Sequence, residues 1–247
     1  MVKKQKTPNK INFRVYNKSS ELMKELEDRS VNLVVTSPPY NIGTKYGKFD
    51  DTTSFQDYLG LLSAVIKESY RVQTPNGKIV VEVADSIRSG EDYVQLAGLF
   101  QSICVEERYS LVGRDINFIR TKNHIELPDH CFDDNYSTKQ NGHSNCHQVL
   151  TFSKYKDASF NGGNVHYLNY DESNEHPCPF PKETLDFILD KHLNEGDSVL
   201  DPFMGTANLG KEVLLRGGCF YGYEIDEGFY KKAEERLTQI KSESGRE

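Results

Sequence analysis

Residues 31–40, Val31-Asn32-Leu33-Val34-Val35-Thr36-Ser37-Pro38-Pro39-Tyr40, constrain this chain more than any other stretch. An apolar run ends abruptly at a polar residue, two prolines and an aromatic ring. The run over 33–35 predicts a buried strand of an α/β sheet. Proline donates no ladder hydrogen bond and fixes φ, so the chain has to leave the sheet stiffly at the strand's carboxyl edge. That edge is where α/β folds place their ligands. Ser37 and Tyr40 then sit on a rigid step in a crevice, a geometry suited to gripping a flat ring. The bland alternative is an ordinary strand end with a Pro-Pro turn, and the tetrapeptide alone does not separate the two.

A second motif lies far downstream. Ser198-Val199-Leu200-Asp201-Pro202-Phe203-Met204-Gly205-Thr206-Ala207-Asn208 is again an apolar strand running into a turn with glycine, followed by a helical pattern. Asp201 falls at the strand end, and Gly205 permits close approach of the backbone to a ligand. Residues 219–226, Cys-Phe-Tyr-Gly-Tyr-Glu-Ile-Asp, supply another short strand with acids at its end. An acid there is well placed to bond ribose hydroxyls. Taken alone, Glu224 reads as a solvated loop acid.

Together these residues resemble the amino-methyltransferases of DNA. Ser37-Pro38-Pro39-Tyr40 matches the family's catalytic (D/N/S)-P-P-(Y/F) motif, and Asp201-Pro202-Phe203-Met204-Gly205-Thr206-Ala207 matches its cofactor motif. The catalytic motif comes first, the permuted order of the family's β group. The resemblance implies a Rossmann-like α/β fold, mostly parallel, with helices on both faces and circularly permuted motif order. It implies S-adenosyl-L-methionine as cofactor, held by Asn17, Asp201, Pro202, Phe203, Gly205, Thr206, Ala207 and Glu224. Arg71-Val72 with Pro75-Asn76-Gly77-Lys78 and the strand over 79–83 is similar to the family's helix-turn-strand after the catalytic loop. His176-Pro177-Cys178-Pro179-Phe180-Pro181 resembles the segment that encloses the methionine end. Two positions depart from the pattern. Ala207 stands where a second glycine is usual, which narrows the backbone's approach if φ is positive. The adenine-binding acid of a "G-D" pair is replaced by Asn17, whose amide still offers an oxygen acceptor.

At 247 residues the chain is long enough for one compact α/β catalytic domain. No apolar stretch approaches the roughly 20 residues a bilayer requires. The basic start Lys3-Lys4-Gln5-Lys6 has no signal-peptide core behind it and reads as a disordered arm. Cys104, Cys131, Cys146, Cys178 and Cys219 are scattered and odd in number, which suggests reduced cytoplasmic thiols. A formal net charge of −7 argues against an indiscriminate DNA coat, not against an enzyme with a local basic face.

Strands and helices alternate without repeats. Thr53-x-x-Gln56 predicts a capping box for a helix whose buried face carries Phe55, Tyr58, Leu59, Leu62, Val65 and Ile66. Residues 93–103 form a second helical pattern, followed by strands near 109–112 and 115–120. Pro181 opens a helix with Leu185, Ile188 and Leu189 on one face, and residues 229–240 form a charged terminal helix. The stretch 122–170 is rich in Asn, His, Gly, Ser and aromatics and reads as a loop-rich insertion, the candidate target-recognition region.

The chemistry the motif implies follows from the target. An exocyclic amino nitrogen is a poor nucleophile because its lone pair is conjugated into the ring. Accepting its hydrogens with the Ser37 hydroxyl and the Pro38 carbonyl favours a pyramidal nitrogen that attacks in line. Tyr40 would stack on a base flipped out of the helix, beside the second turn residue Pro39. No cysteine lies in the Pro-Cys context of the carbon-5 cytosine enzymes. Ser at the first motif position accompanies the N4 of cytosine in the family, with N6 of adenine the alternative. Lys45 and Lys48, in the loop over 41–51 with Gly43 and Gly47 as hinges, are candidate phosphate contacts, with Tyr46 or Phe49 closing over the flipped base, while Arg114, Arg120, Lys122 and Lys139 are candidate phosphate or guanine contacts. The competing reading of that loop is a mobile surface segment. His130, Cys131, His143, Cys146 and His147 lack paired C-x-x-C knuckles, and Cys146 to Lys154 resembles a family strand that accounts for His147, so no metal is expected. The partners implied are double-stranded DNA, a cognate restriction endonuclease and a second copy of the chain, with no membrane. A dinucleotide oxidoreductase is disfavoured because no G-x-G-x-x-G follows the first strand. RNA or protein methyltransferases and a non-catalytic DNA-binding subunit remain as other classes.

Overall fold

The computed structural model describes residues 12–89, 92–120, 146–155, 159–160, 163–169 and 180–244. Its centre is an eight-stranded sheet of β1 (Asn12–Asn17), β2 (Val31–Thr36), β3 (Gln73–Ala84), β6 (Ser110–Arg120), β7 (Cys146–Ser153), β8 (Val165–Asn169), β9 (Ser198–Asp201) and β10 (Cys219–Glu224). The spatial order is β1-β10-β9-β2-β3-β7-β6-β8. The first five strands in that order are parallel, and β7 is antiparallel to both its neighbours. A small hairpin, β4 (Ile87–Ser89) with β5 (Asp92–Val94), stands beyond the end of β3. The apolar strands that run into turns predict an α/β sheet, and the resemblance implies that it is mostly parallel, as it is here.

Helices cover both faces. Helices α1 (Phe55–Val72) and α2 (Leu96–Glu106) pack on one face, where Tyr58, Leu62 and Phe100 meet Ile79, Val81 and Leu150. Helices α3 (Lys182–His192), α4 (Asn208–Leu215) and α5 (Glu227–Ser244) cover the other, where Leu185, Ile188, Val213 and Leu237 meet Leu33, Val35 and Val80. In β2 every residue but Asn32 is buried, because a parallel strand between two helical layers has no wet face.

Several local expectations shift. The cap of α1 is Ser54, one residue later than the predicted box: its Oγ accepts from Asp57 N and donates to the Asp57 carboxyl. α2 starts at Leu96 because residues 92–94 pair as β5 instead. Residues 110–120 are one strand with a register shift between Leu111 and Gly113, not two strands. Pro75 to Lys78 lie inside β3, where the register against β2 jumps from Val31↔Gln73 to Leu33↔Lys78, an irregularity that accommodates proline's missing N–H. Pro181 is the cap residue of α3, just outside it. The stretch read as a loop-rich insertion also contributes β7, which is almost wholly buried between β3 and β6, and β8. Lys154, just past β7, donates to the Tyr70 and Gln73 carbonyls at 2.7 and 2.8 Å, satisfying groups that the end of α1 leaves over. Among the described residues no helix is long and apolar enough to cross a membrane.

Candidate active site

The parallel strands end along one edge, and the predicted motifs meet there. β2 delivers Ser37 and Tyr40, β9 delivers Asp201 and β10 delivers Glu224. Because β9 lies between β10 and β2, the two sequence motifs stand side by side although more than 160 residues separate Thr36 from Asp201 in the chain. A buried hydrogen bond joins them directly, Thr36 Oγ1 donating to Asp201 Oδ1 at 2.9 Å.

The step over 37–40 is braced by side chains. Ser37 Oγ donates to Glu82 Oε2 at 2.9 Å, and the other oxygen of Glu82 lies 2.5 Å from His147 Nδ1. Glu82 is 2 % exposed and His147 6 %, so Ser37 opens onto a buried Ser–Glu–His chain. Tyr58 Oη donates to the Pro39 carbonyl at 2.9 Å, fixing the second proline to α1. Tyr40 is only 7 % exposed: its hydroxyl accepts from Ala84 N at 3.1 Å, and its ring stands edge-on to His147 with centroids 6.1 Å apart. Tyr40 is therefore part of the core as well as of the cleft rim, which narrows the face it can offer a base.

After Tyr40 the loop turns on Asp51. Its carboxylate accepts from Asn41 N, Ile42 N and Thr44 N at 2.8, 3.1 and 2.9 Å, and its carbonyl accepts from Gly43 N. Burial pushes the Asp51 carboxyl up, against these four N–H groups that pull it down. The segment is thus organised about one acid. Lys45 is exposed on it, whereas Lys48 is drawn to the acids that open α5, its backbone N donating to Asp226 and its Nζ lying 3.6 Å from Glu227.

The turn over 201–207 is braced by its backbone geometry and by two acids. Asp201 Oδ1 accepts from Phe203 N at 3.0 Å as well as from Thr36, and burial pushes this carboxyl up to about 7. Gly205 has φ +53° and Ala207 φ +58°, so the methyl at 207 does sit on a left-handed residue. Asp201, Pro202, Thr206 and Ala207 are all buried and shape the turn from within; Phe203 is half-buried. Glu224 reaches the edge, its oxygens accepting from Gly205 N at 3.0 Å and Asp226 N at 2.8 Å, and burial raises its carboxyl. Asn17 pairs with Glu224 across the sheet, but its amide nitrogen donates to the Glu224 and Ile225 carbonyls at 2.9 and 3.3 Å. Its visible job is to tie β1 to the β10 turn, and any acceptor role rests on Oδ1 alone.

Arg114 is exposed on β6, but it pairs with Leu150, three residues along β7 from His147, and so stands roughly 10 Å short of the ligand edge. The backbone of Arg120 closes β6 at that edge. Lys122, Lys139, His130, Cys131, His143 and residues 176–179 lie outside the described residues. Glu82, Asp51 and Asp226 were not singled out by sequence. Glu82 hides in an apolar strand, where a lone acid among valines is itself the signal that a buried polar partner exists.

A profile of the DNA methylases of the N6/N4 class matches residues 31–121 and 117–235. This chain belongs to that DNA methylase family. The Type II methyltransferase M.HpaI of Haemophilus parainfluenzae is 30% identical over 240 residues, covering 87% of this chain and 70% of that protein. The DNA adenine methyltransferase YhdJ of Escherichia coli is 23% identical, covering 87% of this chain and 79% of its own. Among solved folds, the cytosine-N4-specific PvuII DNA methyltransferase superposes with a TM-score of 0.68 at 18% identity, covering 94% of this chain and 92% of that one. M1.HpyAVI, solved as its SAM complex, does so at 0.60 and 17% identity, covering 91% and 98%. The amino-methyltransferase fold and membership of the DNA methylases thus hold for this chain, and the family spans both target nitrogens.

Proposed function

We propose that this DNA methylase transfers the methyl group of S-adenosyl-L-methionine to N4 of a cytosine flipped out of duplex DNA, with 1–247 acting as one catalytic domain. The bond from Ser37 to Glu82 supports transfer to an amino nitrogen, and Ser37 at the first motif position supports cytosine over adenine. A hydroxyl whose hydrogen is committed to a buried acid presents only lone pairs toward the cleft, which suits the N–H of an amino group and not a ring acceptor. The Pro38 carbonyl is the second acceptor.

The residues at the cofactor end fit S-adenosyl-L-methionine. Each Glu224 oxygen holds one backbone N–H and keeps a further lone pair for a ribose hydroxyl, and half-buried Phe203 offers an apolar wall. When bound, this cofactor supplies an electrophilic methyl on a sulfonium. As the target nitrogen forms its bond to carbon it sheds one proton. Ser37 Oγ takes that proton while passing its own to Glu82, so the hydroxyl is regenerated and one proton rests on the acid. His147, at Nδ1 beside Glu82, orients the carboxyl through that contact. Asp201 and Thr36 hold the two ends of the cleft at fixed separation.

Tyr40 forms the side wall against the base and Lys45 a phosphate contact, with Arg114, Arg120, Lys122 and Lys139 in or beside the recognition region. A restriction endonuclease partner and a homodimer belong to the same reading. Digestion of modified DNA to nucleosides, with mass spectrometry, tests the target. N4-methylcytosine is expected; N6-methyladenine alone would replace the base and keep the cleft, consistent with the likeness to YhdJ.

A further inference from the structure

The loop that leaves the catalytic tetrapeptide does not return directly to α1. Its tip, where Phe49 N donates to the Tyr46 carbonyl at 3.3 Å, lies against the start of α5. Lys48 N donates to Asp226 Oδ2 at 3.0 Å. Gly47, with φ +65°, lies so close that a Cβ there would stand 2.1 Å from the same oxygen. Going from the end of β2 to the end of β10 takes the loop past the end of β9, where the turn 201–207 begins. That crossing spans roughly 10 Å, two strand spacings.

Asp226 also works in two other directions. Its Oδ1 accepts from Gly228 N at 2.8 Å and Phe229 N at 3.0 Å, capping α5. Its own N–H donates to Glu224 Oε1 at 2.8 Å. One residue therefore touches the ribose acid, the helix behind it and the loop that follows Tyr40.

We propose that Asp226 is a positioning residue that couples the cofactor end of the cleft to the catalytic loop, latching residues 46–49 as a strap across it. The proposal rests on reading Glu224 as the ribose acid. Filling that site steadies Glu224, the Glu224 carboxyl fixes the Asp226 backbone, and Asp226 holds the strap down while the methyl moves. Entry and departure of the cofactor require the latch to open, a gating step of the kind loops supply in many enzymes.

Asp226→Asn separates this role from a merely structural one. An amide keeps one oxygen for the two N–H groups of α5 but turns an NH2 toward Lys48 N, where two donors cannot bond. Gly47→Ala attacks the latch from the loop. Stopped-flow measurement of S-adenosyl-L-methionine binding to the full-length protein is the readout. Dissociation should quicken about tenfold in both variants, the worth of one hydrogen bond to a charged acceptor. KM for the cofactor should rise with it, the melting temperature should hold, and exchange of the Lys48 amide should no longer slow when cofactor is added. Unchanged dissociation in both variants, or a change matched by lost protection along α5, would overturn the latch. Failure of the unmodified protein to bind S-adenosyl-L-methionine would instead break the reading of the function.

Discussion

The turns after β2 and β9 start alike, each an apolar strand running into proline, yet they are held by different physics. The β9 turn takes its shape locally, with Thr36 and Glu224 tied on from neighbouring strands. Its shape comes from two left-handed residues, Gly205 and Ala207, and from Asp201 bonding the N–H of Phe203 two residues on. The β2 turn is held at long range, by Glu82 and His147 behind Ser37, by Tyr58 on Pro39 and by Asp51 ten residues beyond Asn41. A turn built from its own backbone suits a cofactor presented with main-chain N–H groups. A turn built on remote acids suits the proton removal proposed for it.

The contrast is sharpest at Glu82. Glu82→Gln keeps the size of the side chain and its acceptor but removes the proton's destination. Methyl transfer should fall about 10²–10³-fold, in the range of general-base losses, with cofactor affinity unchanged. A single-turnover assay alongside calorimetry checks both halves. Loss of cofactor binding in step with activity would mean that the two turns are not separable.

Asp201 probes the other turn. Asp201→Ala should weaken S-adenosyl-L-methionine by about 1–3 kcal/mol, because Thr36 Oγ1 and Phe203 N lose a buried acceptor. Asp201→Asn retains the acceptor and removes the titration. The folded Asp201 carboxyl titrates near 7 against 3.8 for an ordinary one, so the unfolded chain sheds its proton first. Stability of the unmodified protein should thus decline as pH rises from about 4 to about 7 and level off above, by on the order of a few kcal/mol. Thermal melts of the two proteins should diverge across that window, and parallel curves would show that the carboxyl is not held protonated.

The smallest effect is expected at Ala207. Its φ of +58° costs an L-residue about 1–2 kcal/mol, partly offset by the buried methyl's contacts, so Ala207→Gly should gain at most about 1 kcal/mol in a denaturant titration. A loss on that substitution would show that packing of the methyl outweighs the backbone strain.

Much of this molecule is legible in its sequence. Apolar runs ending in proline or glycine locate β2 and β9, and helical periodicity locates the buried faces of α1 and α3, because both signals are local to the chain. At Ala207 the sequence shows only a methyl where glycine is usual, and the positive φ that strains it is set by the fold. Boundaries set by competition between elements were less legible: residues 92–94 pair as a strand although they carry a helical pattern. β7 was partly masked by its polar surroundings, since its burial depends on β3 and β6 on either side.

The sequence by itself determined which chemical groups the edge of the sheet carries: a hydroxyl and a proline carbonyl at one strand end, acids at two others. Strand order was left to the tertiary structure, which inserts β9 between β10 and β2 and lets Thr36 bond Asp201. Glu82 gained its meaning only through packing. An acid in an apolar strand is a burden until folding sets Ser37 on one of its oxygens and His147 beside the other, and no pattern within β3 encodes either neighbour. Periodicity reports which face of an element is buried, whereas the partner of a buried charge is chosen by the packing of strands far apart in the chain.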